Sequence, residues 1–134
     1  MPFVQPPAPI GIMLCDQVIF ERGTQKPSLI GVFTGVAASQ FPSVPQRFDV
    51  FVALTNGIGD GVIDLVVIRL ETEEQIAAQS MECSFRDPLH VTNVRFRFRQ
   101  ISLPAAGEYL VALLVDGNQK AQRRVRVYQV EELP

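Results

Sequence analysis

At 134 residues, with a net charge of −2 at pH 7, the chain is the size of one domain and has no global electrostatic bias toward nucleic acid or an anionic membrane. Apolar residues make up 47% and charged residues only 19%, a balance that excludes disorder and leaves more apolar surface than one small core requires. Tryptophan is absent and phenylalanine occurs nine times, so the core must be built from Phe, Val, Leu and Ile.

Residues 1–9 read as an extended, proline-rich arm with no core of its own, followed by a single domain over 10–134. The arm has no positively charged start to suggest a signal peptide, and no apolar run reaches the ~18 residues of a membrane-spanning helix. A cytoplasmic, reducing setting is therefore expected. There Cys15 and Cys83 are two small buried thiols and not a disulfide.

Ile10–Glu21 has strand composition and ends in the turn cluster Arg22-Gly23-Thr24-Gln25-Lys26-Pro27. Ser28–Ala38 is a second strand, and Phe41-Pro42-Ser43-Val44-Pro45 is a loop whose prolines bar it from a central ladder. The third strand runs from Arg47 to Thr55. Asn56-Gly57-Ile58-Gly59-Asp60-Gly61 then gives the strongest hairpin signal in the chain.

Val62–Thr72, Gln75–Arg86, Val91–Leu103, Glu108–Val115 and Gln119–Val130 complete eight predicted strands. They are separated by Glu73-Glu74, Asp87-Pro88, Pro104-Ala105-Ala106-Gly107 and Asp116-Gly117-Asn118. A short helix over Gln75–Met81 is the one competing reading. Turns recurring every ~10–15 residues, without a sustained helical period, predict an all-β fold. Seven or eight antiparallel strands must form two layers, because a single open sheet leaves a face uncovered.

The segment Leu103-Pro104-Ala105-Ala106-Gly107-Glu108-Tyr109-Leu110-Val111 resembles the tyrosine corner of immunoglobulin-like domains. In that corner Gly107 would let the chain bend and the Tyr109 hydroxyl would close the bend onto nearby backbone. The Cys-Trp-Cys core of true immunoglobulin domains is missing, so the resemblance implies the architecture only. Met13-Leu14-Cys15-Asp16-Gln17-Val18-Ile19, Leu29-Ile30-Gly31-Val32-Phe33, Phe41-Pro42, Gly107-Glu108-Tyr109 and Asp116-Gly117 are together similar to an uncharacterised family of small bacterial β proteins. That resemblance spans 10–130 and implies a bacterial β-sandwich, without assigning a role to any residue.

Catalytic and cofactor chemistry finds little purchase. His90 is the single histidine; Ser84 and Asp87 lie close to it in sequence, but no sharp nucleophile turn accompanies them, and a solvated loop histidine is the expected reading. Two distant cysteines and one histidine do not make a zinc site. The glycines of 57–61 have no following helix to present to a phosphate. Asp60, Asp64, Asp87 and Asp116 lie at or near turns and offer oxygen ligands suited to calcium, yet their spacing matches no calcium loop and turn capping explains them. A non-enzyme without cofactor is expected.

Two features exceed what a bare sandwich needs. Val94-Arg95-Phe96-Arg97-Phe98-Arg99 puts three arginines on one strand face. If the last strand lies beside it, Arg124 and Arg126 enlarge the stripe into a groove for an anion or single-stranded nucleic acid. The plainer expectation is an outer face paired with Glu71, Glu82 or Glu108. Ser28–Ala38 (Leu29, Phe33, Ala37 against Ile30, Val32, Val36) and Val62–Leu70 (Ile63, Leu65, Val67 against Val66, Ile68, Leu70) are apolar on both faces. Something must cover the second face: the arm, a loop or, most economically, another copy in a homodimer. The expected function is a non-catalytic structural or protein-interaction module that self-associates.

Overall fold

The computed structural model describes residues 2–131. Nine strands follow one another: β1 (Ala8–Phe20), β2 (Pro27–Phe33), β3 (Gly35–Ala38), β4 (Gln46–Thr55), β5 (Gly59–Arg69), β6 (Glu74–Phe85), β7 (Thr92–Ile101), β8 (Gly107–Val115) and β9 (Asn118–Gln129). There is no helix among the described residues. Gln75–Met81, the alternative helix, lies inside β6 and pairs with β5.

The strands form a four-stranded sheet in the order β2-β1-β4-β7 and a five-stranded sheet in the order β3-β9-β8-β5-β6. The fold is an all-β sandwich, with one strand more than the sequence patterns predict. Ser28–Ala38 is two strands: the chain leaves the first sheet after Phe33 and, past Thr34, joins the second as β3, parallel to β9. No glycine-proline turn marks this change of sheet, and apolar residues continue through it.

Turn chemistry also misleads at Asn56-Gly57. Asn56 does adopt the left-handed conformation, at φ 68°. But β4 and β5 lie in opposite sheets, so the segment arches across the sandwich and makes no hairpin. Paired hairpins are β1–β2, β5–β6 and β8–β9.

The core lies between the sheets and follows the two-residue period of each strand. From one sheet it takes Phe48, Val50, Val52, Leu54, Val94, Phe96 and Phe98; from the other Ile63, Leu65, Val67, Tyr109, Val111, Leu113, Val125 and Val127. Phe48 stacks on Phe98 with ring centroids 5.3 Å apart and meets Phe33 edge-on at 5.8 Å. Polar side chains clasp the open sides: Gln79 Nε2 donates to the Arg97 carbonyl, and Arg123 Nε donates to the Ile12 carbonyl at 2.8 Å.

The proline-rich arm belongs to this core. Phe3 is buried and meets Phe85 edge-on at 5.8 Å, and its N–H donates to Asp116 Oδ2 at 3.0 Å. Val4 and Gln5 bond to Ile58. A Cβ at Gly61 would lie 2.5 Å from the Phe3 ring, so the absence of a side chain there makes the socket.

The first hairpin bends over the outer face of the four-stranded sheet at Asp49. The β1–β4 ladder ends at Cys15↔Asp49. Beyond that rung β1 turns over β4: the Val18 N–H donates to Asp49 Oδ2 at 2.8 Å, and its carbonyl accepts from Arg95 Nη1 at 3.2 Å. A straight strand would carry Val18 about 10 Å past Cys15, out of reach of that carboxylate. On β2 the bend coincides with Gly31, at φ 68°. A Cβ there would lie 2.2 Å from the Asp16 carboxylate. Val18 is fully buried under the fold-over, while Ile19, Ile30 and Val32 face outward and are exposed.

Candidate functional site

The arginine stripe was expected to be an outer face paired with glutamates, and three of its five members do share one strand. On β7, Val94, Phe96 and Phe98 point into the core, which puts Arg95, Arg97 and Arg99 on the opposite face. Arg124 and Arg126 do not extend it, because β9 belongs to the other sheet. Nor are Glu71, Glu82 and Glu108 its partners: Glu71 pairs with Arg69 at 3.5 Å and Glu108 with Arg126 at 2.9 Å.

The stripe's partner is Asp49, directly opposite on β4. Arg97 donates from Nε to Oδ1 at 3.0 Å and from Nη2 to Oδ2 at 3.2 Å, a two-point contact with a carboxylate that has no solvent exposure. Arg95 is spent on the hairpin, through the Val18 carbonyl and the Phe20 ring, 5.7 Å from its guanidinium carbon. Arg99 alone is exposed. Burial on its own would raise the Asp49 carboxyl, but the hydrogen bonds from Arg97 and the Val18 N–H, with the charges of Arg97 and Arg95, outweigh it and hold Asp49 below its ordinary range. The stripe is a clamp that fastens the first hairpin to the sheet.

Sequence reasoning passed over Asp49. Its signal was a lone carboxylate between Phe48 and Val50 in a strand otherwise apolar from Phe48 to Leu54.

At the corner before β8, Tyr109 is buried; its hydroxyl donates to the Ala105 carbonyl at 2.7 Å and accepts from the Ala105 N–H at 3.3 Å. Gly107, at φ 139°, supplies the backbone geometry of the bend.

The turn carboxylates act locally. Asp60 and Asp64 accept hydrogen bonds from Ser84 and Ser80, Asp87 accepts from the Leu89 N–H at 2.9 Å, and Asp116 holds the arm. Ser84, Asp87 and His90 line one open pocket, but the Ser84 hydroxyl donates to Asp60, and among the described residues no hydrogen bond joins the exposed His90 ring to Ser84 or Asp87. Among the described residues, no three His, Cys, Asp or Glu side chains gather as metal ligands would. Cys15 and Cys83 are free and lie on strands of different sheets. Burial pushes both thiols up.

The outer face of the five-stranded sheet has a pattern of its own. Register sets Ile68 beside Leu110 and Leu110 beside Arg124; Val66 beside Ala78 and Ala112; and Asp64 beside Ser80 and Leu114. Val62 faces Glu82. An apolar band runs along this face (Val62, Val66, Ile68, Leu110, Ala112 and Leu114), with Ala112 buried and the others part-exposed. Both segments expected to share a second apolar face are present, but in different sheets: Ile30 and Val32 lie on the folded-over hairpin, and Val66 and Ile68 here.

Among solved structures, the chain is similar in fold to part of the alkylpurine DNA glycosylase AlkC of Pseudomonas fluorescens, at 12% identity and a TM-score of 0.50. The match covers 71% of this chain and 27% of the glycosylase, so the chain spans about a quarter of that protein. An immunoglobulin-like protein from Pseudomonas aeruginosa matches at 14% identity and a TM-score of 0.43, covering 88% of this chain and 97% of the other. The CARDB domain of a Pyrococcus furiosus protein matches at 13% and 0.41, over 96% and 93% of the two chains. A search of curated proteins finds no match. A family model does match over residues 11–128, nearly the whole sandwich, and the chain belongs to that family, DUF6941, a family of unknown function.

Proposed function

We propose that this protein is a non-catalytic β-sandwich module that self-associates through the outer face of its five-stranded sheet. The observation that carries the proposal is the unequal cover of the two outer faces. The four-stranded sheet folds its own hairpin over itself and ties it with Asp49 and Arg95. The other sheet keeps Val62, Val66, Ile68, Leu110 and Leu114 on its outside, and neither segment that could shield them does so. The arm enters the core through Phe3, and the loop after β3 bonds to Leu103 through Ser43.

A solitary antiparallel sheet carries polar residues on its solvent side, and an apolar band there is the composition of a subunit interface. Four strands at about 4.8 Å spacing and the 11 residues of β5 give a face of about 700 Å², close to the ~800 Å² per partner of a specific interface. Sedimentation of the wild-type protein over a concentration series tests the reading. A reversible dimer is expected, and a monomer persisting at high micromolar concentration would overturn it.

A further inference from the structure

The same face carries its charge at two opposite corners, and we infer that these corners fix how two copies meet: the acidic corner of each sits on the basic corner of the other. This inference rests on the self-association proposed above. The acidic corner is Asp60 and Asp64 on β5 with Glu82 on β6. The only hydrogen bonds to these carboxylates among the described residues come from Ser84 and Ser80, which are neutral, and none of the three carboxylates has a cationic partner. The basic corner is Arg124 and Arg126 on β9. Arg126 shares Glu108, whereas Arg124 has no ion pair among the described residues.

Register places the corners apart in both directions of the sheet. Glu82 lies opposite Val62, at the start of β5, while Arg124 lies in the row of Leu110 and Ile68, near its end. Val62 to Ile68 spans about 20 Å at the rise of a strand, and β9 lies two strands from β5, a further ~10 Å across. The apolar band fills the space between. A two-fold axis lying in the interface along the line joining the corners would set acid on acid and base on base. A two-fold axis lying in the interface, at right angles to the line joining the corners, is different. It sets acid on base twice in every dimer and apolar band on apolar band in the middle. Any arrangement that superposes like corners buries repelling charges, so the pattern selects one orientation as well as one partner, a second copy of this chain.

The test is a charge swap on the full chain. One variant carries Asp64→Lys and Glu82→Lys, the other Arg124→Glu and Arg126→Glu. All four side chains lie on the outer face, and thermal melts establish that both variants fold. Each variant alone should associate about tenfold or more weakly than wild type, because both of its corners now have one sign. An equimolar mixture should recover association, since every contact between the two variants is again acid to base. Wild-type association should also weaken as salt rises. If wild type dimerises but the variants match it and the mixture gains nothing, this orientation is wrong and self-association stands. If wild type is a monomer, both fall.

Discussion

Asp49 and Arg97 face each other across the β4–β7 ladder, joined by two hydrogen bonds of 3.0 and 3.2 Å, with the carboxylate wholly buried and the arginine side chain 23% exposed. The burial comes from outside the sheet. It is the peptide of Val18, brought over β4 by the bent hairpin, that closes the site and donates to Asp49. Removing the carboxylate therefore strands a cation and a backbone N–H together. Asp49→Ala should cost about 3 kcal/mol in urea unfolding, at the low end for a broken buried pair because Arg97 retains some access to water. A loss below about 1 kcal/mol would mean that the clamp does not hold the hairpin.

The same pair sets an acid limit. The carboxyl of Asp49 lies lower in the folded protein than in the unfolded chain. Its contribution to stability is thus full above the unfolded value, near 4, and is lost as pH falls through the folded value. Wild type should lose stability progressively below about pH 4, and Asp49→Asn should lose less over that range. Parallel stability–pH curves for the two proteins would contradict this.

The clamp also decides what the arginine stripe can do. Arg99→Glu changes an exposed side chain and should leave stability within about 0.5 kcal/mol of wild type. Arg97→Glu places a second carboxylate against buried Asp49 and should be strongly destabilising, so the three stripe arginines are not interchangeable surface charges. With Arg97 and Arg95 engaged and Arg124 and Arg126 on the other sheet, single-stranded DNA should bind weakly at physiological salt. Tight binding that falls steeply with salt would show the stripe to be a nucleic-acid groove after all.

What was legible in the sequence was whatever local chemistry determines. Asp116-Gly117 makes the β8–β9 hairpin, Gly107 and Tyr109 make the corner, and the alternation of Val94, Phe96 and Phe98 gives the inner face of β7. Choices between sheets were not legible. Asn56-Gly57 supplies the conformation of a tight turn whether the next strand pairs beside β4 or crosses to the other layer. Asp49 reads as an ordinary outward residue because its cover comes from a segment 31 positions earlier. The bend that brings that segment over depends on Gly31, whose left-handed φ looks in sequence like a flaw in a strand.

Tyr109→Phe isolates the corner. The ring stays in the core and only the hydroxyl bonded to Ala105 is lost. About 1 kcal/mol should disappear from the unfolding free energy, seen as a lower urea midpoint at unchanged slope. A midpoint equal to wild type would make the corner ornamental.

The arm offers a sharper contrast. Phe3→Ala empties a buried aromatic site beside Phe85 and should cost about 3 kcal/mol. Gly61→Ala should act similarly, since its methyl group would occupy the position of the Phe3 ring. Deleting residues 1–9 also removes the first two residues of β1, so the truncated protein should be destabilised throughout. If the deletion leaves the melting temperature unchanged, the arm is not part of the core.

The last prediction separates the two apolar surfaces that remain outside the core. Val66 and Ile68 lie on the outer face of the five-stranded sheet and are part-buried; Ile30 and Val32 lie on the outside of the hairpin and are about half exposed, at 49% and 47%. By exposure alone the hairpin would be the better candidate for a partner. Three features argue against it: the strand is short, Gly31 breaks its regular geometry, and it begins at Pro27, all of which blunt an edge. The sheet face is broader and made of long, regular strands. Val66→Lys with Ile68→Lys should therefore abolish self-association while leaving the core intact. Ile30→Lys with Val32→Lys should leave the dimer as tight as wild type. Sedimentation of the two double variants, each first shown to melt cooperatively, gives the answer directly. If the hairpin variant is the one that becomes monomeric, the interface lies on the covered sheet, and the apolar face of the other sheet needs a different explanation.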